Sequence, residues 1–259
     1  MPVKLLLKFG LSSPVKVSSL KPKVIHGIFF SLFQKNKEVG ELLHSPSLKP
    51  FTLFFPAYFR KPEEEVTSFT LELNLLNNEL FPEVARVLFF EKELEVSVNG
   101  VKAELRSLKP VLVETYEGML KGSSPKRDIV LDFLTPTSFR KKDADLVLPE
   151  PYLVFRNLLR RWNAFSPIKI PPRELISFVK ENLFVSGCWI KTKKVEIMNE
   201  AKITGFMGRV YFYAFKEEPE ALKALNALCR FSEFSGVGRK TTMGFGKVRW
   251  ERENESFEE

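Results

Sequence analysis

VKLLLKF (3–9) reads as a strand, with apolar and polar positions close to alternation. Over 23–43 the period changes: Ile25, Ile28, Phe29, Leu32, Phe33, Val39, Leu42 and Leu43 recur at helical spacing. Asn36 predicts an interruption there, with a second short helix running towards Leu43. Pro46 and Pro50 then predict a loop carrying His44 and Lys49. FTLFFPAYF (51–59) and VTSFTLELNLL (66–76) read as strands, and PEVARVLFF (82–90) as a helix with Pro82 near its first turn. Two further strands flank Asn99-Gly100, a strong hairpin signal.

MLKGSSPKR (119–127) is the expected linker. Beyond it come a strand over 128–140 ending at Pro136, a helix over 152–165 and a second helix over 173–184. The first helix would bury Phe155, Leu158, Leu159, Trp162 and Phe165. GCWIKTKKVEIM and AKITGFMGRVYFYAF pair as strands, and a helix over 218–234 starts near Pro219 and ends before Gly236, where a left-handed cap fits. GKVRW is the last strand, followed by the acidic tail ERENESFEE. Each half follows the order β-α-β-β-α-β, so the expected class is α+β, with two tandem ferredoxin-like domains at 1–120 and 121–259.

Composition narrows the chemistry. With 44% hydrophobic residues in 259, the chain can build real cores. The net charge of +8 is unevenly spread. Residues 1–120 hold 15 basic and 14 acidic side chains, whereas 121–250 hold 24 and 13. A neutral half therefore precedes a basic one suited to a polyanion. Cys188 and Cys229 cannot form a disulfide scaffold, and with His26 and His44 they show no short metal-ligand spacing. No metal and no cofactor are expected. The apolar runs are too short to span a bilayer and no signal segment is visible, so a soluble cytoplasmic protein without membrane contact is expected. Any histidine chemistry must use His26 or His44.

GVGRKTTMGFG (236–246) is the most distinctive stretch. Arg239 stands between Gly238 and Lys240, breaking the P-loop pattern, and Lys240, Thr241 and Thr242 occupy the closing positions of a dinucleotide fingerprint. The segment also follows a helix and precedes a strand, the reverse of both motifs. Two readings stay open. Its glycine amides and cations could meet phosphates, or the glycines could serve a tight helix-to-strand connection.

That segment with its preceding Phe-Ser resembles the glycine-rich signature of the CRISPR-associated repeat-RNA endoribonucleases of the RAMP superfamily. LDFLTPTSF (131–139), VFRNLLRRWNAF (154–165) and ITGFMGRVYF (203–212) resemble the branch with a basic C-terminal domain. The resemblance implies two ferredoxin-like domains and maturation of guide RNAs for antiviral defence. It also implies a catalytic histidine with a lysine shortly after it, matched by His44 and Lys49. The family's tyrosine position falls at Phe30, a departure, since phenylalanine has no proton to donate.

The implied chemistry is metal-independent: the RNA 2′-OH attacks its own phosphate, leaving a 2′,3′-cyclic phosphate and a 5′-OH. His44 is the expected base or acid, Lys49 the phosphate stabiliser and His26 the back-up. Without a second titrating partner, slow and single-turnover cleavage is expected. Arg156, Arg160, Arg161, Lys191, Lys193, Lys194, Gly236, Gly238, Arg239, Lys240, Thr241, Gly244 and Gly246 are the expected RNA-binding residues. Expected partners are CRISPR repeat RNA, a CRISPR effector complex and a second copy of the chain in a homodimer. Two alternatives remain: a non-catalytic RNA-binding subunit of an effector complex, and a general basic nucleic-acid binder.

Overall fold

The computed structural model describes residues 1–44, 47–55, 61–77, 79–90, 95–198 and 201–250. They fold as two compact units, one built mainly from Met1–Glu114 and the other mainly from Thr115–Val195, Ile203–Thr241 and the segment after Phe245.

In the first unit, β1 (Val3–Lys16) leads to α1 (Pro22–Ser31) and α2 (Lys37–His44). Then come β2 (Phe51–Phe54), β3 (Glu65–Leu75), α3 (Leu80–Phe90), β4 (Glu95–Val98) and β5 (Val101–Val113). The sheet order is β2-β3-β1-β5-β4. Without the β4 edge this is the ferredoxin-like arrangement, with the first strand in the middle between the third and the last. The alternation in β1 sets one face inward: Val3, Leu5, Leu7 and Phe9 are buried, while Lys8 is exposed. Phe9 lies opposite Phe69 of β3, their rings stacked at 4.9 Å. Ile25, Ile28 and Phe29 of α1 and Val84, Val87 and Leu88 of α3 join the same core.

The turn at Asn36 has a local cause. Its side-chain oxygen accepts from the Val39 amide at 3.3 Å, and its carbonyl from Gly40 at 3.1 Å, so Asn36 caps α2. α2 reaches one residue further than the apolar spacing predicts: His44 closes the helix rather than lying in the loop. The hairpin forms at Asn99 (φ +50°) and Gly100 (φ +86°), the paired positive angles of a type I′ turn. Of the strand expected over 51–59, Phe51–Phe54 forms, and 56–60 lie outside the described residues.

The second unit opens with α4 (Tyr116–Lys121) and β6 (Asp128–Thr137). The hairpin β7 (Phe139–Lys141) and β8 (Ala144–Leu146) precedes α5 (Pro151–Phe165), α6 (Pro172–Asn182), β9 (Leu183–Met198), β10 (Ala201–Ala214), α7 (Pro219–Ser235) and β11 (Val248–Trp250). Its sheet order, β11-β6-β10-β9, repeats the ferredoxin-like arrangement. The chain is thus two ferredoxin-like folds in tandem. Residues 119–121, expected in a linker, belong to α4, because Tyr116 and Met119 are buried and Tyr116 packs edge-on against Trp162 at 4.9 Å. β6 continues through Pro136 to Thr137, which pairs with Phe206. The acidic tail, 251–259, lies outside the described residues.

Candidate active site and nucleic-acid interface

Both histidines of the chain line one cleft of about 510 Å3. α1 contributes His26 and, one turn on, Phe30; α2 contributes Lys37, Gly40, Glu41 and His44, the spacing of one helix face. Phe30 touches both imidazoles. Its ring centroid is 4.8 Å from that of His26 and 5.4 Å from that of His44. On its inner side Phe30 meets Phe29 and Phe51, which fixes the ring against the core. The expected departure at Phe30 therefore lies inside the cleft.

The Lys49 ammonium donates to the His44 backbone carbonyl. This bond satisfies a carbonyl at the end of α2 and holds the lysine beside the histidine. An ammonium has three donors, so two remain for an anion. His44 is exposed, and His26 and Lys49 are half-buried. Lys37 and Glu41 were not singled out from the sequence. The signal was there in the +4 and +7 spacing of Glu41 and His44 from Lys37 along α2.

The second unit carries the basic residues. Arg156, Arg160, Lys191, Lys193, Lys194 and Lys240 are exposed. Arg161 differs from the sequence expectation: it is 4% exposed and donates to the carbonyl of Ser235, the last residue of α7. It therefore caps that helix and lies beneath the surface. Burial, with the neighbouring Arg160 charge, pushes its pKa down to about 10 against the opposing effect of Tyr116, leaving it cationic at neutral pH. A cation there suits the negative end of α7.

The glycine-rich segment is bonded internally. The Gly236 amide donates to Ser232 (2.8 Å), Gly238 to the side-chain oxygen of Asn157 (2.9 Å) and Gly246 to Pro136 (3.1 Å). These three amides are committed, so the tight-connection reading holds for them and the phosphate-cradle reading does not. Gly236 has φ +60° and ψ −177°, a region open to glycine, rather than the left-handed helical cap expected. Arg239 is tied to Asp145 of β8 and its amide to Ser138 (3.1 Å), and Thr241 and Gly244 are buried. Of the two expected loop cations, Lys240 (φ +60°) is the exposed one, and it has no acidic partner among the described residues. Asn157 and Asp145, which anchor the loop, were not legible in advance because each lies far from it in sequence.

On the sheet, Asp132 of β6 receives Arg209 of β10 (2.8 and 3.1 Å) and Arg249 of β11 (3.0 Å), both directly opposite it in register. Burial opposes its ionisation, but the two guanidinium groups outweigh it and hold the carboxyl below the usual carboxylate range. Exposed aromatics also lie on this unit, among them Trp189 on β9 and Phe215. No helix among the described residues is long and apolar enough to cross a membrane.

Comparisons with known proteins converge. The family model of the CRISPR-associated endoribonuclease Cas6 matches residues 131–248. The Cas6 endoribonuclease of Mycobacterium tuberculosis (strain CDC 1551 / Oshkosh) is 24% identical over 253 residues, 95% of this chain and 77% of that protein. A solved Cas6 product complex superposes with a TM-score of 0.79 at 29% identity, covering 97% of this chain and 100% of the other. Cas6 of Thermus thermophilus gives 0.74 at 25%, covering 97% and 98%. The matched stretch runs from β6 to β11 and holds the glycine-rich segment, while the structural likeness extends over both units. Along nearly its whole length the chain resembles the Cas6 endoribonucleases, whose family model matches its stretch from β6 to β11.

Proposed function

We propose that the protein cleaves CRISPR repeat RNA without a metal ion, by attack of the 2′-OH on the adjacent phosphate. His44 on the cleft wall, with the Lys49 ammonium bonded to its backbone carbonyl, carries this reading. His44 takes the 2′-OH proton, a contribution of about 100- to 10,000-fold. The 2′-oxygen bonds to phosphorus, the bond to the 5′-oxygen breaks, and the products are a 2′,3′-cyclic phosphate and a 5′-OH. Lys49 balances the charge that builds on the phosphate oxygens. The exposed cations of the second unit supply backbone affinity, with its strong salt dependence. Support comes from relatives named as endoribonucleases, from solved relatives described as product and substrate-mimic complexes, and from one that is a histidine-to-alanine mutant.

Incubation with the cognate repeat RNA in EDTA should give one cut and a cyclic phosphate. H44A should bind the RNA and lose at least about 100-fold in single-turnover rate. A substrate with a 2′-deoxy residue at the cut site should stay intact, and cleavage of that substrate would reject the mechanism. Phe30, where the resemblance implies tyrosine, favours a second reading, a non-catalytic RNA-binding subunit of an effector complex. Tight repeat binding by wild-type protein with no cleavage would select it.

A further inference from the structure

His26 lies one helical turn before Phe30 on α1, half-buried, and lines the same cleft as His44. The two imidazoles meet the Phe30 ring from different elements, His26 at a 48° tilt and His44 nearly edge-on at 75°. The ring is fixed between them by its contacts with Phe29 and Phe51. Two imidazoles held apart by a rigid spacer, with an ammonium beside one of them, match what transesterification needs. The proton on the attacking oxygen and the proton for the departing oxygen are handled on different sides of the phosphorus. An imidazole is the side chain whose ordinary range lets it serve either task near neutral pH.

From this geometry we infer that His26 and His44 work as an acid–base pair, His26 being a second catalytic residue that protonates the leaving 5′-oxygen. The inference rests on the cleavage reading above. With His44 on the 2′-OH, the step balances without water. His44 gains the 2′-OH proton, the P–O5′ bond breaks as the P–O2′ bond forms, and the His26 imidazolium gives its proton to O5′. His44 leaves the step protonated and His26 neutral, and exchange with solvent restores both. Single-turnover behaviour, where found, then reflects product retention rather than a missing proton donor. Lys37 and Glu41, also on the cleft wall, provide charge around the pair.

The test separates an acid from a residue that only supports the fold. H26A and H26N are assayed on repeat RNA and on the same RNA with sulfur in place of the bridging 5′-oxygen at the cut site. A thiolate leaves without needing a proton. Both variants should bind RNA like wild type and lose about 100-fold or more on the oxygen substrate. They should recover to within about 10-fold of wild type on the sulfur substrate, whereas H44A should stay slow on both. Wild-type cleavage of the oxygen substrate by H26A, or equal losses on both substrates, overturns the pair. Undiminished cleavage by H44A instead overturns the underlying assignment of His44.

Discussion

Replacing Gly246 by alanine should destabilise the second unit by several kcal/mol. Gly246 has φ +68°, donates its amide to Pro136 at 3.1 Å and accepts from the Val237 amide at 2.8 Å. A Cβ at this position would sit 1.9 Å from the Val237 carbonyl oxygen and 3.0 Å from its carbon. Both are backbone atoms, so no flexible side chain can swing away. Relief requires moving one strand of the loop by about 1 Å, and that motion strains the Val237–Gly246 and Gly246–Pro136 hydrogen bonds. A left-handed conformation costs an L-residue about 1–2 kcal/mol. Each weakened bond adds about 0.5–1.5 kcal/mol. The total of about 2–5 kcal/mol corresponds to a fall in melting temperature of about 5–15 °C for a unit of this size. Thermal unfolding followed by circular dichroism measures it. G27A is the control: nothing lies within 4 Å of a Cβ at that α1 position, and alanine is favoured over glycine in a helix. It should match or exceed wild type. A G246A melting temperature within about 2 °C of wild type would refute the reasoning.

R161M should lower stability, because the Ser235 carbonyl loses its cap, yet leave the salt dependence of RNA binding unchanged. R156A and R160A should do the reverse, each reducing the slope of log K against log salt by about 1 in filter-binding titrations. Similar slopes for all three variants would contradict the burial of Arg161. For Asp132, the folded carboxyl titrates below its unfolded value of about 3.9, so its contribution is present above that pH and is lost as pH falls through the folded value. D132N should therefore be less stable to urea than wild type at pH 7, by about 1 kcal/mol because Arg249 is partly exposed, and the gap should narrow as pH falls below the unfolded value. A gap that persists or widens at low pH would exclude the ion pairs as its source.

Much of the fold was legible because its signals are local. The period change between β1 and α1, the Asn36 cap and the Asn99-Gly100 turn each depend on a few neighbouring residues. Features that depend on distant partners were not. Arg161 reads as part of a basic helix face until α7 is seen to end against it. The glycines at 236–246 read equally as a phosphate cradle or a tight connection. For Gly238 and Gly236 the groups that take the amides, Asn157 and Ser232, favour the connection, and neither is marked in the sequence as a loop anchor. The missed cleft residues Lys37 and Glu41 are a different case, since their spacing to His44 was available.

The cleft has the stronger claim to chemistry for a reason that composition supplies. The chain spends only two histidines in 259 residues, and the fold brings both, from separate helices, to one wall around one phenylalanine. That unit is nearly neutral, so it has little charge with which to hold a polyanion. The basic excess lies in the other unit, which has no histidine. On the proposed reading, affinity and proton transfer are carried by different residues on different folds. It follows that losing an imidazole should slow cleavage with RNA bound, and that losing an exposed arginine should weaken binding while leaving the rate at saturating protein intact.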